Sequence, residues 1–113
     1  MPLTSRWAAA LALLTLAAPD AHSPEPDGRA IYAGKGNCGT CHGRTGTGTS
    51  MGPDLTDGEW LHIDGSVDSI AALVKRGVPE PIEASVAMPP RGGAPLTDPE
   101  VAAVARYVHA LSH

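Results

Sequence analysis

Phenylalanine is absent from this 113-residue chain, and two tryptophans and two tyrosines are its only aromatic carbocycles. Trp7 lies in the amino-terminal run, so from His22 onward only Tyr32, Trp60 and Tyr107 remain. A chain of this length makes one domain. So small a domain buries a modest share of its surface and usually needs help to be stable. Cysteine is scarce too: Cys38 and Cys41 stand alone, and one pair at such close spacing cannot staple a domain. A basic excess is missing. Eight Lys and Arg face twelve Asp and Glu, a net charge of −4, which argues against nucleic acid as a partner. The longest apolar run, Trp7 to Ala18, has twelve residues, whereas a membrane span takes about 20. Alternating strand patterns and internal repeats are also lacking.

The amino terminus reads as an export signal. Arg6 precedes the apolar run, and "PDAHSPEPDG" follows it, the order of charge, apolar middle and polar exit found in secretory leaders. The expected organisation is a signal peptide over 1–21, cut somewhere within 17–21. A short linker or tail follows over 22–26, and one domain over 27–113. The domain is then periplasmic or otherwise exported, with no membrane span once the leader is removed. An uncleaved anchor is the less favoured alternative.

The rest predicts helices joined by long loops. Asp27 can cap a helix running to about Gly36. "GRTGTGTSMGPDLTDG" is loop by composition, and a short helical turn is expected around Asp57 to His62. Ser66 caps a helix whose apolar face is Val67, Ile70, Ala71 and Val74, closed by Lys75, Arg76 and Gly77. Five prolines make Val78 to Pro95 a stiff, irregular loop. The last helix opens on a capping box, Thr97 with Glu100, and carries the stripe Val101, Val104, Ala105, Val108, Leu111.

Within this frame stands "CGTCH", Cys38 to His42. A thioredoxin-like redox site would need a βαβ pattern, which is missing. A structural zinc site wants four ligands in close pairs. His109 and His113 have the spacing of a pair but lie 67 residues past His42 or further. A plain disulfide suits an oxidising compartment but leaves His42 and the poor core unexplained. C-x-x-C-H is the attachment sequence for c-type heme: two thiols bind the macrocycle and the adjacent histidine meets the iron. Heme would also supply the missing core. A few hundred Å² of buried macrocycle contributes on the order of ten kcal/mol.

Given heme, a sixth ligand is needed. Met51 lies nine residues after His42, in the Gly-rich loop that stays on the proximal side. Met88 lies 46 residues after His42, far enough to pass around the heme edge, and Pro89 and Pro90 stiffen its loop. A stiff loop loses less entropy when its thioether is pinned. Met88 is therefore the expected distal ligand, with His62 the alternative.

The chain resembles the class I c-type cytochromes over roughly Asp27 to Leu111. "DGRAIYAGKGNCGTCHG" resembles their first helix and attachment site, and "MGPDL" their proximal Gly-Pro-x-Leu loop. "VAMPPRGGAPLTDPEVAAVARYVHAL" resembles the distal Met-Pro loop and last helix. "DLTDGEWL" is similar to heme domains of diheme oxidase subunits and dehydrogenase-linked cytochromes. The resemblance implies an all-α cytochrome c fold, three main helices plus short helical turns around one covalent heme. It implies that Cys38 and Cys41 hold the heme, that His42 is the proximal ligand and Met88 the distal one, and that the Pro53 carbonyl accepts from His42. Gly52 gives the turn of that loop, and Leu55 lies against the heme. Trp60 is a candidate heme-edge or propionate contact through its indole N–H. Gly28 and Tyr107 are expected where the first and last helices cross.

An iron with both axial positions filled moves single electrons and does not bind substrate. The expected function is an electron carrier, not an enzyme, between a periplasmic dehydrogenase or quinol-oxidising respiratory complex and a terminal oxidase. The alternatives are a gas-binding or sensing domain whose Met88 bond opens, and a small peroxidase. Met/His ligation and burial predict a positive midpoint potential. Lys35, Arg44 and Arg91 flank the relevant segments, which predicts a weakly basic or neutral docking rim on an acidic molecule.

Overall fold

The computed structural model describes residues 25–113; the expected leader lies outside them, as does most of the linker. Asp27 starts the first helix, α1 (Gly28–Ala33), by accepting from the Arg29 and Ala30 amides at 3.0 and 3.3 Å. The helix ends earlier than its composition suggests. Gly34 leaves helical geometry while its amide still bonds the Ala30 carbonyl at 2.8 Å.

The two strong periodic segments form as expected. Ser66 caps α3 (Val67–Arg76) through a bond from the Ser69 amide, and Gly77 closes it. Helix α4 (Asp98–Leu111) opens on the complete capping box of Thr97 and Glu100. Its buried face is Val101, Ala103, Val104, Ala105 and Val108, to which Ile70 and Val74 of α3 and Ile31 and Tyr32 of α1 are added. Leu111 is only half-buried.

Small residues let α1 and α4 cross with their backbones touching. A Cβ on Gly28 would overlap the Ala103 carbonyl oxygen and stand 2.9 Å from the Tyr107 Cβ. The expected meeting of Gly28 and Tyr107 is thus met. Tyr32 and Tyr107 add an edge-to-face pair with centroids 5.3 Å apart, a favoured aromatic geometry. Lys35 reaches the Glu100 carboxylate at 2.7 Å and joins the end of α1 to the start of α4.

Three local features depart from the expectation. No helical turn forms over Asp57 to His62. Gly58 adopts φ +75°, and the Asp57 carboxylate takes the Glu59 amide at 3.0 Å in a local turn. A short helix, α2 (Cys38–His42), forms over the motif itself. Asn37 enters it at φ 53° and Gly43 leaves it at φ 87°; five residues are too few to show a period. A tight turn, Pro90–Gly93, interrupts the proline-rich loop, with Arg91 at φ 55° and Gly92 at φ 68° in the left-handed region. Among the described residues there is no strand, only isolated bridges between Thr49 and Gly52 and between Val78 and Met88. The all-α expectation holds.

Candidate heme site

The described core is built of aliphatic side chains plus one tyrosine, and beside it lies a mostly apolar cavity of about 320 Å³. Residues of α2, α3, α4 and the Val78–Pro89 loop line it together.

Cys38 and Cys41 are free thiols, both half-buried on this cavity. One helical turn separates them, so both reach the same lining. Burial pushes the Cys38 thiol up. His42 follows directly. Its Nδ1 lies 2.9 Å from the Pro53 carbonyl oxygen. A carbonyl can only accept, so Nδ1 carries the proton and Nε2 keeps its lone pair. Burial lowers the His42 pKa, opposed by the Pro53 bond, which raises it. The net direction favours the neutral ring, the form able to ligate a metal.

The loop behind α2 is laced onto it. The Gly48 amide donates to the His42 carbonyl at 2.8 Å, and the Thr49 hydroxyl to the Cys41 carbonyl at 2.5 Å. Tyr32, 2 % exposed, donates its hydroxyl to the Gly43 carbonyl at 2.7 Å. Burial, with smaller contributions from Cys38 and Tyr107, pushes its phenol up to about 12, so it stays a donor. Gly52 closes a tight turn with Thr49, its carbonyl accepting from the Thr49 amide at 2.9 Å and its amide donating to the Thr49 carbonyl at 3.4 Å, without a positive φ. Its constraint is approach: a Cβ there would sit 2.9 Å from the Cys41 oxygen and 3.1 Å from His42 Nδ1.

Met88 lines the same cavity from the proline-rich loop. Its amide and carbonyl exchange two hydrogen bonds with Val78, at 3.0 and 2.9 Å. The prolines therefore do not hold it alone; a two-bond clamp fixes its backbone at the end of α3. Gly77 makes room, since a Cβ on it would meet the Met88 oxygen at 2.5 Å. The pairing of Val78 with Met88 joins residues ten apart across an irregular, proline-rich loop, and no periodic pattern signals it.

Leu55, Trp60, Met51 and His62 line the same cavity. Trp60 lies against Gly65, where any Cβ would run into its indole. Met51 stands 38 % exposed, on the segment that leads to Pro53.

Two of the three cations expected on the docking rim are engaged elsewhere, and the cavity itself is lined by acids. The lining contains Asp54, Glu59 and Glu83 and no Lys or Arg. Lys35 is paired with Glu100. Arg91 bonds the Leu96 carbonyl and the Asp98 carboxylate, both at 2.7 Å, so it ties its loop to α4. Sequence distance from the motif says nothing about which acids the loops return to it.

The profile of the family described as cytochrome c oxidase, cbb3-type, subunit III matches residues 24–108. The chain belongs to that family. Among curated proteins it is 38 % identical over 76 residues to the cbb3-type cytochrome c oxidase subunit CcoP of Rubrivivax gelatinosus, covering 67 % of this chain and 23 % of that one. It is 36 % identical over 61 residues to CcoP of Rhodobacter capsulatus, covering 54 % of this chain and 20 % of that protein. The chain thus spans about a fifth of the length of these relatives. No solved structure matches it significantly.

Membership in the subunit III family makes the chain a c-type cytochrome domain with the all-α cytochrome c fold. Such a domain transfers electrons, is not itself catalytic, and takes heme c. The donor set fits that group: two unpaired thiols, an imidazole with one nitrogen committed, and a thioether on an apolar lining. Among the described residues, no helix is long and apolar enough to cross a membrane.

Proposed function

We propose that the chain is a single-electron carrier holding one covalent heme c. It would relay electrons between a periplasmic dehydrogenase or respiratory complex and a terminal oxidase of the cbb3 kind. The observation that carries this reading is the convergence of Cys38, Cys41, His42 and Met88 on one apolar cavity. When bound, heme c supplies the one-electron couple. The chain's residues attach, orient and shield it. Cys38 and Cys41 would hold heme c through their thiols. His42 Nε2, left free by the Pro53 bond to Nδ1, would be one iron donor, and Met88 Sδ, on the segment tied to Val78, would be the other. Leu55 and Trp60 would line the group and exclude water.

Partners follow from the relatives, which are named as oxidase subunits. Export follows from the leader over 1–21, with the domain over 27–113. Co-expression with heme-attachment machinery tests the reading. The expected product carries one heme per chain, resistant to acid-acetone extraction, with a low-spin spectrum. Heme loss on extraction, or two hemes per chain, would refute it.

A further inference from the structure

The pair His109 and His113 takes no part in the heme site, since neither residue lines its cavity. They stand four apart at the end of α4, and a helix places i and i+4 on one face. Their rings stack, with centroids 3.8 Å apart and planes 20° from parallel.

Each ring has one nitrogen committed to a carbonyl. His109 Nδ1 lies 3.0 Å from the oxygen of Gly65, on the loop ahead of α3, and His113 Nδ1 lies 2.8 Å from the His109 oxygen. A carbonyl only accepts, so both Nδ1 atoms carry the proton and both Nε2 atoms keep a lone pair. Among the described residues, no hydrogen bond reaches either Nε2. Ligating histidines are held in this way, with the second nitrogen on an acceptor that fixes the tautomer and raises the basicity of the donor. A purely structural role would account for one nitrogen of each ring and leave the other unused.

His109 is half-buried and tied to a residue 44 positions away, whereas His113 is exposed and held only by its neighbours. His109 is therefore the fixed donor. His113 can turn out of the stack about its own side-chain bonds to bring its Nε2 to the same ion. The end of a helix is the negative pole of its dipole, which favours a cation. Arg106, one turn earlier, is offset by Glu25 at 3.7 Å.

We propose that His109 and His113 form a surface site for a divalent transition-metal ion, with Cu²⁺ preferred. Imidazole suits Cu²⁺, Ni²⁺ and Zn²⁺ rather than Ca²⁺ or Mg²⁺, and Cu²⁺ heads the order of affinities. Among the described residues, no third His, Cys, Asp or Glu joins the pair, so water fills the remaining positions and the ion exchanges with solvent. The site stands apart from the electron-carrier reading.

The test uses tag-free holoprotein, in which heme attachment takes Cys38, Cys41 and His42 out of competition. Cu²⁺ is titrated by calorimetry in a non-chelating buffer, and its nitrogen couplings are read by electron paramagnetic resonance. The expected result is one Cu²⁺ per chain with two nitrogen donors, displaced by excess Zn²⁺ and not by Ca²⁺. His113→Ala keeps the Gly65 bond and should weaken binding about tenfold or more, because a second tethered donor acts at high effective concentration. Ala110→His/His113→Ala keeps the number of histidines but puts them at adjacent helix positions, which do not face each other; it should bind as weakly as His113→Ala. Ala110 and His113 are both exposed, so these variants should keep the heme spectrum and melting temperature. His22→Ala should keep the site. Absence of stoichiometric Cu²⁺, displacement by Ca²⁺, native affinity in either His113 variant, or loss in His22→Ala would overturn the site and leave the carrier reading standing.

Discussion

Gly77→Ala is the sharpest perturbation of the distal wall. Gly77 ends α3 at φ 73°, ψ −175°, a region essentially reserved for glycine, where another residue costs about 1–3 kcal/mol. Its added Cβ would also lie 2.5 Å from the Met88 carbonyl oxygen and 2.8 Å from the Pro90 nitrogen. Both are backbone atoms and cannot rotate away, so overpacking adds roughly 1–3 kcal/mol. The sum, about 2–6 kcal/mol, is a large part of a small domain's stability of roughly 5–15 kcal/mol. Relief comes from letting the Met88 segment move, which breaks the Val78 clamp. The variant should therefore lose stability and weaken the sulfur-to-iron charge-transfer band at the red end of the ferric spectrum. Gly58→Ala is the control. Gly58 has φ +75° but nothing within 4 Å of a Cβ, so it carries strain without the clash. The assay is denaturant unfolding of both holoproteins with the band recorded in parallel. Equal losses for the two, with the band intact in Gly77→Ala, would refute the reasoning.

The apoprotein should be largely unfolded or molten. Far-UV circular dichroism of Cys38→Ala/Cys41→Ala made without heme checks this, and a helical, cooperatively melting chain would contradict it. Met88→Ala should abolish the charge-transfer band and let reduced protein take up carbon monoxide at neutral pH. Met51→Ala should change neither, whereas the same band loss in Met51→Ala would exchange their roles. Gly28→Val should force α1 off the Ala103 carbonyl and cost at least about 1–3 kcal/mol, read as a fall in melting temperature. In acid, Glu100 is held down to about 2, chiefly by Lys35. A depressed carboxyl contributes stability above its unfolded pKa, and that contribution is lost as pH falls through the folded value. Lys35→Met should thus move acid unfolding, followed by tryptophan fluorescence, to higher pH within a window from about 4.5 down to about 2. The midpoint potential should be positive; a strongly negative value in a spectroelectrochemical titration would point to His62 or water in place of Met88.

The two long helices were legible because their information is local. Ser66 with the spacing of Ile70 and Val74, and Thr97 with Glu100 ahead of Val101, Val104 and Val108, are signals complete within about fifteen residues. The attachment motif was legible for the same reason: its chemistry needs two thiols and an imidazole at neighbouring positions. Gly28 and Tyr107 could be matched because only a glycine allows such a close crossing. Other features join residues only seven to eleven apart, but across irregular loops that carry no periodic pattern to signal the pairing. Val78 clamps Met88 only after α3 and the proline-rich loop have folded back. Tyr32 holds the Gly43 carbonyl only once α1 and α2 are placed. Arg91 became a strut to Asp98 rather than a docking charge because its left-handed backbone sits in the turn that leads to α4. Glu59 and Glu83 look like scattered solvated acids along the chain, yet the loops bring both to the heme mouth. Local sequence determined which residues could hold the cofactor. Tertiary structure alone decided what surrounds it, because Coulomb and packing energies depend on distance in space, not along the chain.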